Sequence, residues 1–355
     1  MTMIERTKQT TDHRHRLRLP TGTETMHLLE AARHRRITRV LEDRFTLWGY
    51  TPAETPLVDY VEVYRPLLSE KSMRDTYRAV DRQGEVLAVR ADTTLFLAKQ
   101  LGLHLCPEDL PVRVWYNDQI VRAEGEDEIA GNEYQQAGVE LVGTNGVESD
   151  VEVLTILQDT LQALGLSEAV IHIGSHRIIT ELTSSDDGRE AMARHVLARR
   201  RVPEEFGLSR DEQDLLLFIG DAPAFEQALE RWTLPAGVRS AAEDLLVRAV
   251  QLEADPAVRI DLSELAANDY YSGIAFSAYH PDSTAAITRG GRYDELLGHF
   301  GFDAPSVGFS MFTRKLPATT LSGIEPAPPG APGSTLAERI ATARAAHGRG
   351  ERMRL

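Results

Sequence analysis

Residues 269–314 read DYYSGIAFSAYHPDSTAAITRGGRYDELLGHFGFDAPSVGFSMFTR. Tyr270, Ile274, Phe276 and Ala278 are separated by even numbers of residues and are mostly apolar. That alternation predicts a strand with one buried face. A short second strand, Ala285 to Thr288, is expected next, with Gly290 and Gly291 as a tight turn after it. Tyr293, Leu296, Leu297 and Phe300 follow at helical spacing. Ser306 to Phe312 reads as a further strand. Gly308 inside it marks a place where a side chain would block a close approach, by a ligand or by neighbouring backbone. Two readings of the stretch stand together: a packed sheet with glycine turns, or a sheet whose open face holds a small polar ligand among Arg292, Asp269 and the pair Tyr270 and Tyr271.

Working outward, Leu28 to Trp48 places Leu28, Ala32, Ile37, Val40, Leu41, Phe45 and Trp48 at near-helical intervals, and Gly49 stops the helix. Pro52 and Pro56 make the segment from Tyr50 to Pro56 an edge element. Tyr77 to Val80 and Val86 to Val89 form a hairpin in this reading. Arg90 to Leu103 is a helix entered through Asp92, Thr93 and Thr94. Pro111 to Trp115, Gln119 to Ala123 and Tyr134 to Val142 are expected as three strands, with an acidic turn, Glu124 to Asn132, before the last. Thr144 to Asp150 caps an amphipathic helix, Val151 to Leu164.

From about Ala169 to Ala257 the character changes. One short strand, Val170 to Ile173, is followed by helical stretches at Arg189–Arg200, Leu215–Phe218, Ala222–Trp232 and Ala241–Ala254. The expected domains are a loose N-terminus (1–18), a core (19–168 and 258–316), a mostly helical insert (169–257) and a proline-rich linker and tail (317–355). The fold class is α+β: an antiparallel sheet flanked by helices, without the βαβα alternation of a doubly wound fold.

The chain has 355 residues, which fits two or three domains. Its 39 basic and 54 acidic residues give a net charge of −15. An acidic surface argues against broad, non-specific binding of nucleic acid. A single cysteine, Cys106, excludes an internal disulfide and a cysteine-cluster metal site. No apolar run reaches a membrane-spanning length, and the N-terminus lacks the apolar core of a signal peptide, so the cytoplasm is the expected compartment.

Three polar groups interrupt sheet-like segments. In the first, Asp92 either partners a cationic ligand or caps the helix that follows, and residue type alone favours the cap. In the second, Arg122 is suited to a phosphate or carboxylate. Gln136 and Glu140 share one face of a strand with Gly138 between them, as a polar pocket floor or as solvent-facing alternation. The third is the opening stretch, where Gly290-Gly291-Arg292 lacks the pattern of a phosphate loop. His172 and His176 are four apart, but Gly174 and Ser175 argue against a helix there, so no metal site is expected.

With these groups in view the sequence resembles the catalytic core of histidyl-tRNA synthetase and, more closely, the histidyl-tRNA-synthetase-like regulatory subunits of ATP phosphoribosyltransferase. The resemblance covers about Leu19 to Leu316. Gly49-Tyr50 through Pro56-Leu57 resembles class II motif 1, a dimer-interface element centred on Pro56. Val121-Arg122-Ala123-Glu124 resembles the start of motif 2, and Val307-Gly308-Phe309 through Arg314 resembles motif 3. Asp269-Tyr270-Tyr271-Ser272-Gly273 and Gly290-Gly291-Arg292-Tyr293-Asp294 resemble the two histidine-specific signatures.

The resemblance implies a histidine site of Asp92, Thr94, Arg122, Gln136, Glu140, Tyr270 and Tyr271, and a vestigial ATP-site residue, Arg314. It implies no catalytic residue, metal or cofactor, and L-histidine as an allosteric ligand. The partner it implies is the short-form catalytic subunit of ATP phosphoribosyltransferase, in a hetero-oligomer built on a dimer, without tRNA or membrane. Three departures from the synthetase weigh against aminoacylation. Ala266-Ala267-Asn268-Asp269 stands where the synthetase has an arginine-containing run, so a cation for the transferring charge is missing. The motif 2 loop is acidic. A proline-rich tail follows Leu316 where an α/β anticodon-binding domain would stand. The alternative is a divergent amino-acid-activating enzyme or ligase.

Overall fold

The computed structural model describes residues 19–20, 23, 25–26, 28–123, 132–183, 207–252, 257–266, 270–322, 329–333 and 335–354. The chain divides into two compact units, 1–321 and 322–355.

In the first unit, helix α1 (Leu28–Leu47) buries Ile37, Leu41 and Phe45, one residue per turn on a single stripe. It ends at Gly49, whose φ of +82° suits a residue without a Cβ. Strand β1 (Thr51–Pro52) follows at the rim of the main sheet, where two prolines so close together are tolerated. Strands β2 (Val58–Tyr60), β3 (Arg78–Val80) and β4 (Val86–Val89) form a small antiparallel sheet in the order β2-β4-β3. Short helices α2 (Val61–Tyr64) and α3 (Glu70–Asp75) lie between β2 and β3 in the chain. Helix α4 (Thr93–His104) then leads to the two longest strands, β5 (Val112–Val121) and β6 (Glu133–Val142).

Helix α5 (Val147–Ala163), strand β7 (Val170–Ser175) and helix α6 (His176–Thr183) come next. After them lie α7 (Arg210–Leu216), β8 (Ile219–Gly220), α8 (Ala222–Arg231), α9 (Ala236–Ala249) and β9 (Ala257–Asp261). Strands β10 (Ile274–Tyr279), β11 (Thr288–Arg292) and β12 (Ser306–Phe312) complete the main sheet. Its nine strands run β1-β5-β6-β12-β11-β10-β7-β9-β8, and the six from β5 to β7 are all antiparallel neighbours. The pairs β1–β5 and β7–β9 are parallel. The core lies between one face of this sheet and helices α1, α5, α6 and α9, and includes an edge-to-face contact of Phe45 on Phe309 at 6.0 Å.

Several expectations are corrected. The segments Pro111–Trp115 and Gln119–Ala123 are one ten-residue strand, β5. The polar residues that seemed to break it find lateral partners instead. Asn117 donates to Glu42 at 2.7 Å, and Asp118 accepts from Thr55 at 3.0 Å and pairs with Arg90 at 3.1 Å. Gly290 and Gly291 lie inside β11 rather than in a turn, and Tyr270 precedes β10 rather than belonging to it. Helix α5 begins at Val147, four residues earlier than expected, so Asp150 belongs to its first turn. Within the segment 169–257, expected to be mostly helical, the foreseen strand Val170–Ile173 is present as β7, and β8 and the start of β9, which were not foreseen, continue the main sheet beyond it. Residues 317–321 are held to α1, with Arg33 donating to Thr320 O at 2.7 Å and to Pro317 O, and Arg36 to Leu321 O. The expected helix at Arg189–Arg200, most of the acidic turn and Asp269 fall outside the described residues.

In the second unit, helix α10 (Leu336–Gly348) starts at a capping box in which Thr335 and Glu338 accept from each other's backbone N–H at 3.2 and 3.1 Å. Among the described residues no helix is long and apolar enough to cross a membrane.

Candidate functional site

Asp92 caps α4, as its residue type favoured. Its Oδ1 accepts from Thr94 N at 2.9 Å and Leu95 N at 3.4 Å. Its Oδ2 faces Arg122 Nη2 at 3.3 Å, and Arg122 Nε is fixed on Ala91 O at 2.7 Å. The two uses of Asp92 weighed from sequence therefore coexist, one oxygen on the helix and the other on a cation. Burial pushes the carboxyl above the usual range and Arg122 draws it back. The side chain still keeps 16% of its surface.

The cap points the first turn of α4 at strands β5 and β6. Thr93 N donates to Gln136 Oε1 at 2.8 Å, and Thr94 Oγ1 donates to Glu140 Oε1 at 2.9 Å. Thr94 Oγ1 also lies 3.1 Å from Tyr116 Oη, a contact in which either hydroxyl can donate. Tyr293 Oη donates to Glu140 Oε2. Glu140 is 2% exposed, and burial pushes its carboxyl up to about 8, against the pull of the hydroxyls that donate to it.

Aromatic rings close the group. Tyr270 lies edge-on to Tyr271 at 5.1 Å and to Tyr293 at 5.8 Å. Burial, with Asp92 and Glu140 close by, raises the Tyr270 phenol well above its ordinary value, so it is a neutral donor at any physiological pH. Two glycines make room. A Cβ on Gly308, across from Glu140 in the β6–β12 register, would run into the Glu140 carboxylate. A Cβ on Gly291 would stand 2.7 Å from the Tyr271 ring. The close approach foreseen at Gly308 is therefore made by a buried side chain of the same chain.

Six expected residues, Asp92, Thr94, Gln136, Glu140, Tyr270 and Tyr271, gather around this point, with Arg122 at its margin. Arg314 pairs instead with Glu133 at 3.9 Å. Pro56 is exposed, beside exposed Leu57, Val58 and Tyr60, and its carbonyl accepts from Arg90 at 3.2 Å. Arg292 is not available to a ligand. Its guanidinium donates to Asp150, Ser149, Asp294 and Thr144 O. Instead its carbonyl accepts Ser272 N at 2.8 Å and so ties the tyrosine loop to β11.

Tyr116 and Tyr293 were missed from sequence. Tyr293 sits in the second histidine-specific signature but reads equally as the start of a helical stripe. Tyr116 faces Gly138 in the β5–β6 register, and a Cβ there would stand 2.7 Å from its hydroxyl. A glycine opposite an aromatic is the available signal, but it needs the register to be seen.

The antiparallel sheet flanked by helices that carries this tyrosine-lined acidic group is the class II synthetase-like fold. The sequence profile of histidyl-tRNA synthetase matches residues 22–316. The ATP phosphoribosyltransferase regulatory subunit of Moorella thermoacetica is 30% identical over 84% of this chain and 81% of its own length. A histidine–tRNA ligase of Pyrobaculum arsenaticum is 30% identical over 79% of this chain and 70% of its own length. The solved structure described as an ATP phosphoribosyltransferase regulatory subunit/histidyl-tRNA synthetase from Bacillus halodurans superposes with a TM-score of 0.82 at 25% identity, covering 95% of this chain and 92% of that one. The chain belongs to the histidyl-tRNA-synthetase-like family of ATP phosphoribosyltransferase regulatory subunits.

Proposed function

We propose that the chain is a non-catalytic subunit that the short-form ATP phosphoribosyltransferase catalytic subunit requires for activity, and that it carries feedback inhibition by L-histidine. The observation that carries the ligand is Glu140. It is 2% exposed and its named partners, Thr94 and Tyr293, are neutral hydroxyls. A buried acid that keeps its proton up to about 8 gains from a ligand that can share that proton, and an imidazole can accept it. Asp92, turned towards the same group, offers a carboxylate oxygen to an α-ammonium. Arg122, which touches Asp92, suits the ligand's carboxylate. The tyrosines supply apolar walls with polar tips.

Regulation follows by linkage. If histidine binds one arrangement of the complex better than another, it shifts the population towards that arrangement. Pro56, Leu57, Val58 and Tyr60 are the surface proposed for self-association, within a larger hetero-oligomer. The test is a coupled assay of the cognate catalytic subunit with and without purified chain. Activation by the chain, and inhibition by histidine only when the chain is present, are expected. A catalytic subunit equally active and equally inhibited alone would overturn the proposal.

Two observations favour a second reading, a divergent amino-acid-activating enzyme: the Pyrobaculum relative carries a ligase name, and Arg122 and Arg314 remain at the segments resembling motif 2 and motif 3. Histidine-dependent exchange between ATP and pyrophosphate would support it.

A further inference from the structure

On the polar face of the main sheet, away from the tyrosine group, three potential metal-binding side chains meet. His172 is on β7, Asp261 ends β9, and Glu264 lies in the 3-10 turn Leu262–Ala266. In the parallel register His172 faces Arg259, so Asp261, two residues on, emerges on the same side of the pleat. Their neighbours Ile171, Ile173 and Ile260 point the other way, into the core. One donor atom from each of the three residues lies within 4.8 Å of the other two.

We propose that His172, Asp261 and Glu264 bind one divalent transition-metal ion of the Zn²⁺ class. Both carboxylates are held in place by a second group, as metal ligands commonly are. Asp261 Oδ1 accepts from Ser263 N at 2.9 Å and Ser263 Oγ at 2.7 Å, which turns Oδ2 towards His172 Nδ1 at 2.9 Å. Tyr279 Oη donates to Glu264 at 2.9 and 3.1 Å, and its ring meets the imidazole edge-on at 5.4 Å.

One imidazole nitrogen and two carboxylate oxygens suit Zn²⁺ or Co²⁺ better than Mg²⁺ or Ca²⁺, which favour all-oxygen sets. Three protein ligands leave a fourth position for water. His172 keeps 22% of its side-chain surface, enough for an ion to enter, while Asp261 keeps 2%. The ion takes the place of the hydrogen between His172 Nδ1 and Asp261 Oδ2, with the ring proton on Nε2. Because Glu264 belongs to the 3-10 turn, a bound ion fastens that turn to the sheet. This site stands independently of the histidine reading.

The plain alternative is a His–Asp hydrogen bond beside a Tyr–Glu one, with no ion. Titration of the full chain, stripped with chelator, with Co²⁺ separates the two through the visible absorption of a four-coordinate site, followed by displacement with Zn²⁺. About one Co²⁺ per chain is expected, with affinity at least about tenfold weaker in both Glu264→Gln and His172→Ala. Circular dichroism checks that the variants fold. Glu264 is only partly buried, so Glu264→Gln keeps the test decisive if His172→Ala unfolds. No saturable binding by the wild type, or equal binding by wild type and a folded variant, overturns the proposal. The second result would place the ion on other histidines.

Discussion

Two acidic side chains are sunk equally deep against the same sheet and treated in opposite ways. Asp150, 0% exposed, lies between two guanidinium groups, with Arg292 Nε at 2.8 Å and Arg248 Nε at 2.6 Å. Both arginines have further acceptors, Arg292 on Asp294 and Arg248 on Asp244 O. Glu140, 2% exposed, is met by hydroxyls. A buried carboxylate paired with cations is complete within the chain and ties α5, α9 and β11 into one unit. A buried acid held only by neutral donors is costly to ionise, so burial raises its protonation range, and a ligand can relieve that cost. The contrast separates a structural ion cluster from the proposed binding group without reference to the family.

The sharpest way to break the contrast is to empty the first cluster. Asp150→Ala leaves Arg292 and Arg248 without their shared carboxylate, and is expected to lower unfolding free energy by about 3–5 kcal/mol in urea denaturation. An unchanged midpoint would mean that the arginines find other partners and that the cluster is not what joins these elements.

Next in size is the pH response of Glu140. Its folded range, about 8, lies above its unfolded value of 4.5, so the folded state holds the proton more tightly. The contribution is fully present below the unfolded value and is lost as pH rises towards the folded one, with a slope of up to about 1.4 kcal/mol per pH unit between them. In Glu140→Gln this slope should vanish, so wild type and variant converge at low pH and the variant gains relative stability between about pH 4.5 and pH 8, with no further gain above. Parallel stability curves would show that Glu140 titrates normally. Under the proposed function, histidine affinity should be flat between about 6.5, where free imidazole titrates, and about 8, because free and bound partners then hold one proton between them. It should fall on either side of that window.

How much of this was legible in the sequence depends on distance along the chain. Helix α1, the β3–β4 hairpin and the Asp92 cap were readable because periodicity and caps are local. The ten-residue β5 was split in two because Asn117 and Asp118 look like a break until Glu42, Thr55 and Arg90 are brought beside them. Gly290 and Gly291 read as a turn because glycine serves turns and close packing equally. Only the register shows that Gly291 lies under the Tyr271 ring. Asp150 looked like part of a cap because its partners are 98 and 142 residues away. The candidate-site residues were gathered from signatures carried by the resemblance. Residue chemistry alone left Glu140 open between pocket floor and solvent-facing alternation.

A smaller change separates the two duties of Asp92. Asp92→Asn keeps an oxygen for the Thr94 and Leu95 N–H groups but removes the charge. Melting temperature should move little, while calorimetric titration should show histidine binding weakened by about tenfold or more, roughly 1.4 kcal/mol. The reverse pattern, lost stability with unchanged affinity, would reduce Asp92 to a helix cap and move it to the structural side of the contrast.

The smallest effect is expected at Arg314, and its smallness is informative. Its pair with Glu133 spans 3.9 Å, and the two side chains keep 21% and 31% of their surface. A pair so long and so well solvated contributes little, so Arg314→Ala should change stability by less than about 0.5 kcal/mol. Histidine affinity should stay within about twofold, because Arg314 is paired outside the Glu140 group. The useful measurement is ATP–pyrophosphate exchange, run on wild type and variant together. Exchange in the wild type that disappears in Arg314→Ala would place a working ATP site beside the amino-acid group and favour the enzyme reading. If neither protein exchanges and both bind histidine alike, Arg314 is a motif 3 residue kept in position without an ATP-dependent step, and Glu140 remains the acid that a ligand completes.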